Sequence, residues 1–201
     1  MIAIVDYGVG NLYSLLGSLR ALGLDATVTG DAGVIRAADR IILPGVGAFG
    51  DAIARLEATG LIPTLCEEAE KKPLLGICLG MQLLFEESYE YGRHRGLGLI
   101  PGRVVPLPAE LVPNRKIPHM GWNGLHFPRP CPIFRYINEG DYVYYVHSYY
   151  ATDCADHITA TSDYGITVTG AVARGHVFGT QFHPEKSGRT GLAILRAFSE
   201  I

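Results

Sequence analysis

Apolar positions change their period twice along the chain. The run IAIV, residues 2–5, has the length and composition of a buried strand, and the glycine-rich DYGVGN after it reads as a turn. Leu12, Leu15, Leu16, Leu19 and Leu22 then recur at spacings of three and four, which puts them on one face of a helix. DATVT predicts a second strand, and RIILPG a third that ends in the loop PGVGAFG. Helical patterns follow from Asp51 to Lys72, with a break near Gly60 and Pro63. PLLGI is the next strand and continues into CLGMQLLFEE. Short apolar strands alternating with helices predict a largely parallel open sheet covered by helices on both faces.

The pattern shifts in the second half. DYVYYVHSYYAT, HITATSD and ITVTGAVARGHVFGTQF are rich in β-branched and aromatic residues, and Gly165 and Gly175 mark hairpin turns. These strands either extend the sheet in antiparallel fashion or add a small second sheet. SGRTGLAILRAF closes the chain as a helix with Ser187 as its cap. No linker interrupts this order, so residues 1–201 read as one α/β domain.

Composition narrows the possible roles. With 201 residues, 48% of them hydrophobic, the chain can bury a substantial core. A formal net charge of −3 and a pI near 6.1, without a basic stripe, point away from a nucleic-acid binder. No stretch reaches the roughly 20 apolar residues of a membrane helix, and MIAIVDYG is unlike a secretory leader. Cys66, Cys78, Cys131 and Cys154 show neither disulfide-framework nor metal-ligand spacing, which predicts free thiols in a reducing cytoplasm and no metal. GVGN lacks the full G-x-G-x-x-G pattern, so no nucleotide or flavin is expected, nor any other cofactor.

Chemistry concentrates in two stretches. In GICLGMQ, Gly76, Cys78 and Gly80 form G-x-C-x-G where a strand gives way to a helix. A tight turn there lifts one side chain out of the sheet, and small neighbours let backbone and substrate approach. A thiol of ordinary pKa, about 8.5, is only about 3% ionised at neutral pH; a helix N-terminus or a nearby imidazolium raises that fraction. The same pattern also fits a buried cysteine at a strand–helix junction. The stretch TQFHPEKSG weighs against that, because His183 and Glu185 stand two apart on extended chain and start on one side. Cys78, His183 and Glu185 then supply nucleophile, base and orienting carboxylate. Backbone amides of Leu79 and of PGVG, residues 44–47, are the candidate donors to an oxyanion.

Taken together, PGVG, GICLGMQ and FHPE resemble the class I (triad) glutamine amidotransferases, in that family's motif order and across nearly the whole chain. The resemblance implies that Cys78 attacks the side-chain amide of glutamine, giving a γ-glutamyl thioester and ammonia, with His183 as general acid/base and Glu185 as its orienter. It further implies an oxyanion site at Val46, Gly47 and Leu79, and substrate contacts from Gly45, Gly47, Gln82, His147, Ser148 and Tyr149.

Three further stretches, DYGVGN, HMGWN and FHPEKS, are similar to those glutaminase subunits of the family that supply imidazole glycerol phosphate synthases. That narrower likeness implies a heterodimer with a (β/α)₈-barrel cyclase in histidine biosynthesis. The expected interface comprises Asn11, Trp122, Tyr144, Tyr145 and Lys186. In this family the PGVG peptide is thought to rest in an orientation unfit for the oxyanion until the cyclase binds its ligand. Other triad amidotransferases, an autonomous γ-glutamyl hydrolase and a non-enzymatic α/β module with a structural Cys78 remain alternatives at this point.

Overall fold

The computed structural model describes residues 1–110 and 115–201. Its first half runs β1 (Ile2–Val5), α1 (Leu12–Ala21), β2 (Ala26–Thr29), α2 (Ala32–Ala37), β3 (Arg40–Leu43), α3 (Phe49–Ala58), α4 (Ile62–Ala69) and β4 (Leu74–Ile77). There follow α5 (Leu79–Leu83), β5 (Phe85–Ser88), β6 (His94–Arg95), β7 (Ile100–Pro106) and β8 (His119–Gly124). The chain ends with β9 (Tyr142–His147), β10 (Tyr149–Thr152), β11 (Ile158–Asp163), β12 (Thr167–Arg174), β13 (Val177–Thr180) and α6 (Gly188–Ser199).

Seven strands form the main sheet in the order β11-β12-β13-β4-β3-β1-β2. From β13 to β2 all neighbours are parallel, and β12 and β11 add an antiparallel edge. The period of two within the apolar runs divides the core. Ala3, Val5, Ile41, Leu43 and Leu74 face one side, where Ile35, Phe49, Leu56 and Leu65 of α2, α3 and α4 cover them. Ile2, Ile4, Ile42, Leu75 and Ile77 face the other, under Leu15 and Leu19 of α1 and Ile194, Leu195 and Phe198 of α6. Each Val, Leu, Ile or Phe among them contributes about 1.5–3 kcal/mol by leaving water, so both helical layers are held by the same strands.

Both expected forms of the C-terminal half occur together. β11 and β12 extend the main sheet, while β10-β7-β5-β6 and β8-β9 make two smaller sheets. Gly165 and Gly175 take positive φ at their turns, as predicted. Four local expectations are revised. α2, not predicted, carries a single buried residue, Ile35, and is started by Asp31 accepting from the Val34 amide at 2.9 Å. Pro63 stands in the first turn of α4, where its missing N–H costs nothing, and not in the break before it. HMGWN, to which the sequence pattern assigns no element, is β8 and pairs along its whole length with β9. Ser187 occupies the cap position of α6, but its hydroxyl donates to the His183 carbonyl at 2.6 Å and accepts from Tyr144 N–H at 3.0 Å.

Candidate active site

Two parallel neighbours bring the key residues together. Ile77, the last residue of β4, pairs with Thr180, the last of β13, and the Cys78 amide donates to the Thr180 carbonyl at 2.7 Å. Cys78 and the segment leading to His183 therefore leave the sheet side by side at its carboxyl edge, where open α/β sheets hold ligands. Cys78 has φ +54°, a conformation that costs a side-chain-bearing residue about 1–3 kcal/mol and aims its Cβ off the sheet. The two glycines permit this turn for steric reasons. A Cβ at Gly80 would come within 1.9 Å of the Leu43 carbonyl oxygen, and one at Gly76 within 2.7 Å of the Met81 backbone.

His183 Nδ1 bonds Glu185 Oε1 at 2.8 Å, with both side chains almost fully buried. Burial opposes the imidazolium, but hydrogen bonds to Cys78 and Glu185 outweigh it and push His183 up to about 9. The second carboxylate oxygen of Glu185 is buried without a partner, so the imidazole is the main counterpart of that charge. A thiol, an imidazole that takes and holds its proton, and a carboxylate in this order can form a thiolate and pass that proton to a leaving group.

Cys78 opens into a cavity of about 310 Å³, at the small end of ligand sites. Val46, Gly47, Leu79, Gln82, His147, Ser148, Tyr149, His183 and Lys186 of the expected residues line it. Gly45 does not; it packs behind the cavity against Gly80 and the Tyr7 hydroxyl. Tyr7 donates to the Pro44 carbonyl at 2.7 Å and so pins the start of the PGVG loop, while Gly47, at φ +96°, sits exposed. Leu79 supplies the first N–H of α5, which no helical carbonyl can satisfy.

Two contributors, Glu90 and His119, were not foreseen. Glu90 lines the cavity, accepts from the Phe49 amide at 2.7 Å, and has its carboxyl pushed up by burial. His147 Nδ1 contacts the Tyr149 carbonyl at 2.9 Å and its Nε2 contacts His119 Nδ1 at 3.0 Å. Burial holds both imidazoles neutral, pulling His147 down to about 3 and His119 to about 4. His119 also stacks between Tyr145 and Tyr164, at centroid distances of 4.5 and 3.9 Å.

The expected interface residues divide. Trp122 is exposed and meets Tyr144 edge-on at 5.9 Å, while Asn11 is half-buried beside Pro44 and Glu185. Tyr145 corrects the expectation. Alternation along β9 turns it into the core, fully buried, with its hydroxyl on Ser162 at 2.9 Å, so it offers no surface to a partner.

Comparison with known proteins bears on this geometry. The model of the family "Glutamine amidotransferase class-I" matches residues 3–200. The chain is 48% identical to the imidazole glycerol phosphate synthase subunit HisH of Syntrophotalea carbinolica, over the full length of both. It is 52% identical to the HisH subunit of Bacillus cytotoxicus, over all of this chain and 95% of that one. Among solved structures, PurLQS from Thermotoga maritima superposes with a TM-score of 0.77 at 19% identity, covering 99% of this chain and 97% of that one, which speaks to the fold alone. A thiol lifted from a parallel sheet beside a carboxylate-held imidazole is thus set in a known framework, and the chain belongs to the class-I glutamine amidotransferases and, among them, to the family of HisH subunits.

Proposed function

We propose that this chain hydrolyses glutamine to glutamate and ammonia and delivers the ammonia to a cyclase subunit with a (β/α)₈ barrel, in histidine biosynthesis. The observation that carries the reading is the buried, hydrogen-bonded His183–Glu185 pair on the wall of the same amino-acid-sized cavity as a cysteine held at positive φ.

In this mechanism the Cys78 thiolate attacks the side-chain amide carbon of glutamine. Backbone amides of Leu79 and of the 46–47 loop receive the oxyanion. His183 passes its proton to the departing nitrogen, which leaves as ammonia. The γ-glutamyl thioester is then hydrolysed by a water that gives His183 a proton and its hydroxide to the acyl carbon. Collapse expels the Cys78 thiolate, restores the thiolate–imidazolium pair and releases glutamic acid, whose proton passes to solvent. Gln82, Ser148 and Tyr149 hold the substrate, and Glu90 faces its α-ammonium. Replacing Glu90 with Gln is expected to raise KM about tenfold or more with a smaller change in kcat, as loss of one charge-assisted contact would.

The partner surface lies on the outward face of the β8-β9 pair. Met120, Trp122 and Tyr142 are exposed there, continuous with Pro118 and Lys186 at the cavity rim. The test is glutamate release by the chain alone, with the cyclase, and with the cyclase plus its ribonucleotide ligand. Little activity alone and a large rise in the full mixture supports ammonia donation; full activity alone makes the chain an autonomous hydrolase. A Cys78→Ala chain that retains glutaminase activity would overturn the nucleophile assignment.

A further inference from the structure

Gln181 is fully buried, lies two residues before His183 and is absent from the cavity wall. Its Nε2 stands 3.7 Å from the Cys78 sulfur, within reach of an N–H···S hydrogen bond. Its Oε1 lies 3.0 Å from Gln82 Nε2, which is also 3.0 Å from the Tyr149 carbonyl.

One backbone oxygen fixes the direction of every bond in this chain. The Tyr149 carbonyl can only accept, so the Gln82 group facing it must be the NH₂. The other proton of that NH₂ then goes to Gln181, whose facing atom must be its oxygen. Gln181 is left with its NH₂ towards sulfur and cannot flip without setting two donors or two acceptors against each other. The same carbonyl takes the Nδ1 proton of His147, making His147 Nε2 the acceptor for His119. The Val146 carbonyl, 3.9 Å from sulfur, can accept the thiol proton.

We infer that Gln181 is a positioning residue for the nucleophile, its amide N–H aimed at the Cys78 sulfur so that ionised sulfur, the stronger acceptor, gains more from the donor than thiol sulfur does. This deepens the proposed function and rests on Cys78 being the nucleophile. A hydrogen bond to the charged form favours ionisation, and burial enlarges the effect because no water replaces the donor. The bond also fixes which way the sulfur points while His183 takes and returns the proton.

The test reads the thiolate directly. The rate of Cys78 carbamidomethylation by iodoacetamide is followed by mass spectrometry of the Cys78 peptide from pH 5 to 10. Gln181→Met, close in volume and without a donor, is expected to raise the midpoint by about one pH unit, an about tenfold slower reaction below both midpoints. Gln181→Glu keeps the acceptor for Gln82 but turns an oxygen towards sulfur, so its midpoint should rise at least as far, and it stands in if the Met variant does not fold. In glutamine hydrolysis both variants should lose kcat while KM changes little. An unchanged alkylation profile in a folded variant would overturn the proposal. Alkylation requires no glutamine turnover, so it separates failure of this inference from failure of the glutaminase reading, which Cys78→Ala tests.

Discussion

His183 carries more charge than its burial alone would allow, and that has two measurable consequences. Held up to about 9, it is protonated in the folded protein across neutral pH, while the unfolded chain loses that proton near 6.5. Its contribution to stability is complete below about pH 6.5 and disappears as pH rises through about 9. Urea midpoints should therefore decline over that window, and His183→Gln should remove this part of the decline. Replacing Glu185 with Gln keeps the hydrogen-bond acceptor but removes the charge, so glutaminase kcat should fall on the order of 10²-fold or more while the fold persists. The neutral pair His147 and His119 acts in the opposite direction. The unfolded chain takes up protons at both below about pH 6.5, whereas the native state resists to about 4 or 3, so stability should fall as pH drops from 6.5 towards 4. A flat urea midpoint between pH 6.5 and 4.5 would contradict this. Cys78, His183 and Glu185 were legible because each stands in a short local pattern. Glu90, Gln181 and His119 were not, since their partners lie 41, 103 and 28 residues away and only the folded sheet brings them together.

At the scale of elements, the turn between β4 and α5 depends on two missing methyl groups. Gly80→Ala would set a Cβ against the Leu43 carbonyl, a backbone atom of the neighbouring strand that cannot swing aside. The expected cost is about 1–3 kcal/mol or more, read by thermal or urea unfolding, with loss of activity from a displaced Cys78. The strands of the parallel core could be read from sequence because strands covered on both faces are continuous apolar runs. The six residues of α2 bury one side chain, too little for a helical period to register. HMGWN has no β-branched residue and a glycine in its middle, so little in the local sequence marks the strand that pairing with β9 makes of it.

Across the whole molecule, the triad and the proposed docking face occupy the same edge. Lys186 and Pro118 belong to the cavity rim, and Trp122 stands just outside on β8. Trp122→Ala should leave the isolated chain's stability within about 0.5 kcal/mol, because the ring is largely solvated, yet weaken assembly with the cyclase by about 2 kcal/mol. Urea unfolding of the isolated chain checks the first half of that statement and calorimetric titration of the two subunits the second, and unchanged affinity would move the interface elsewhere. Among the described residues no helix is long and apolar enough to cross a membrane.

The bond from the Cys78 amide to Thr180, deep between β4 and β13, also assigns the two halves of the catalytic machinery to different clocks. That amide should exchange its hydrogen for deuterium only when the sheet opens globally, whereas the amides of the exposed Val46 and Gly47 should exchange through local fluctuation, orders of magnitude sooner. The attacking group would then share the lifetime of the native state itself, and the loop amides among those that receive the oxyanion would be free to be set, turnover by turnover, by whatever rests against the rim.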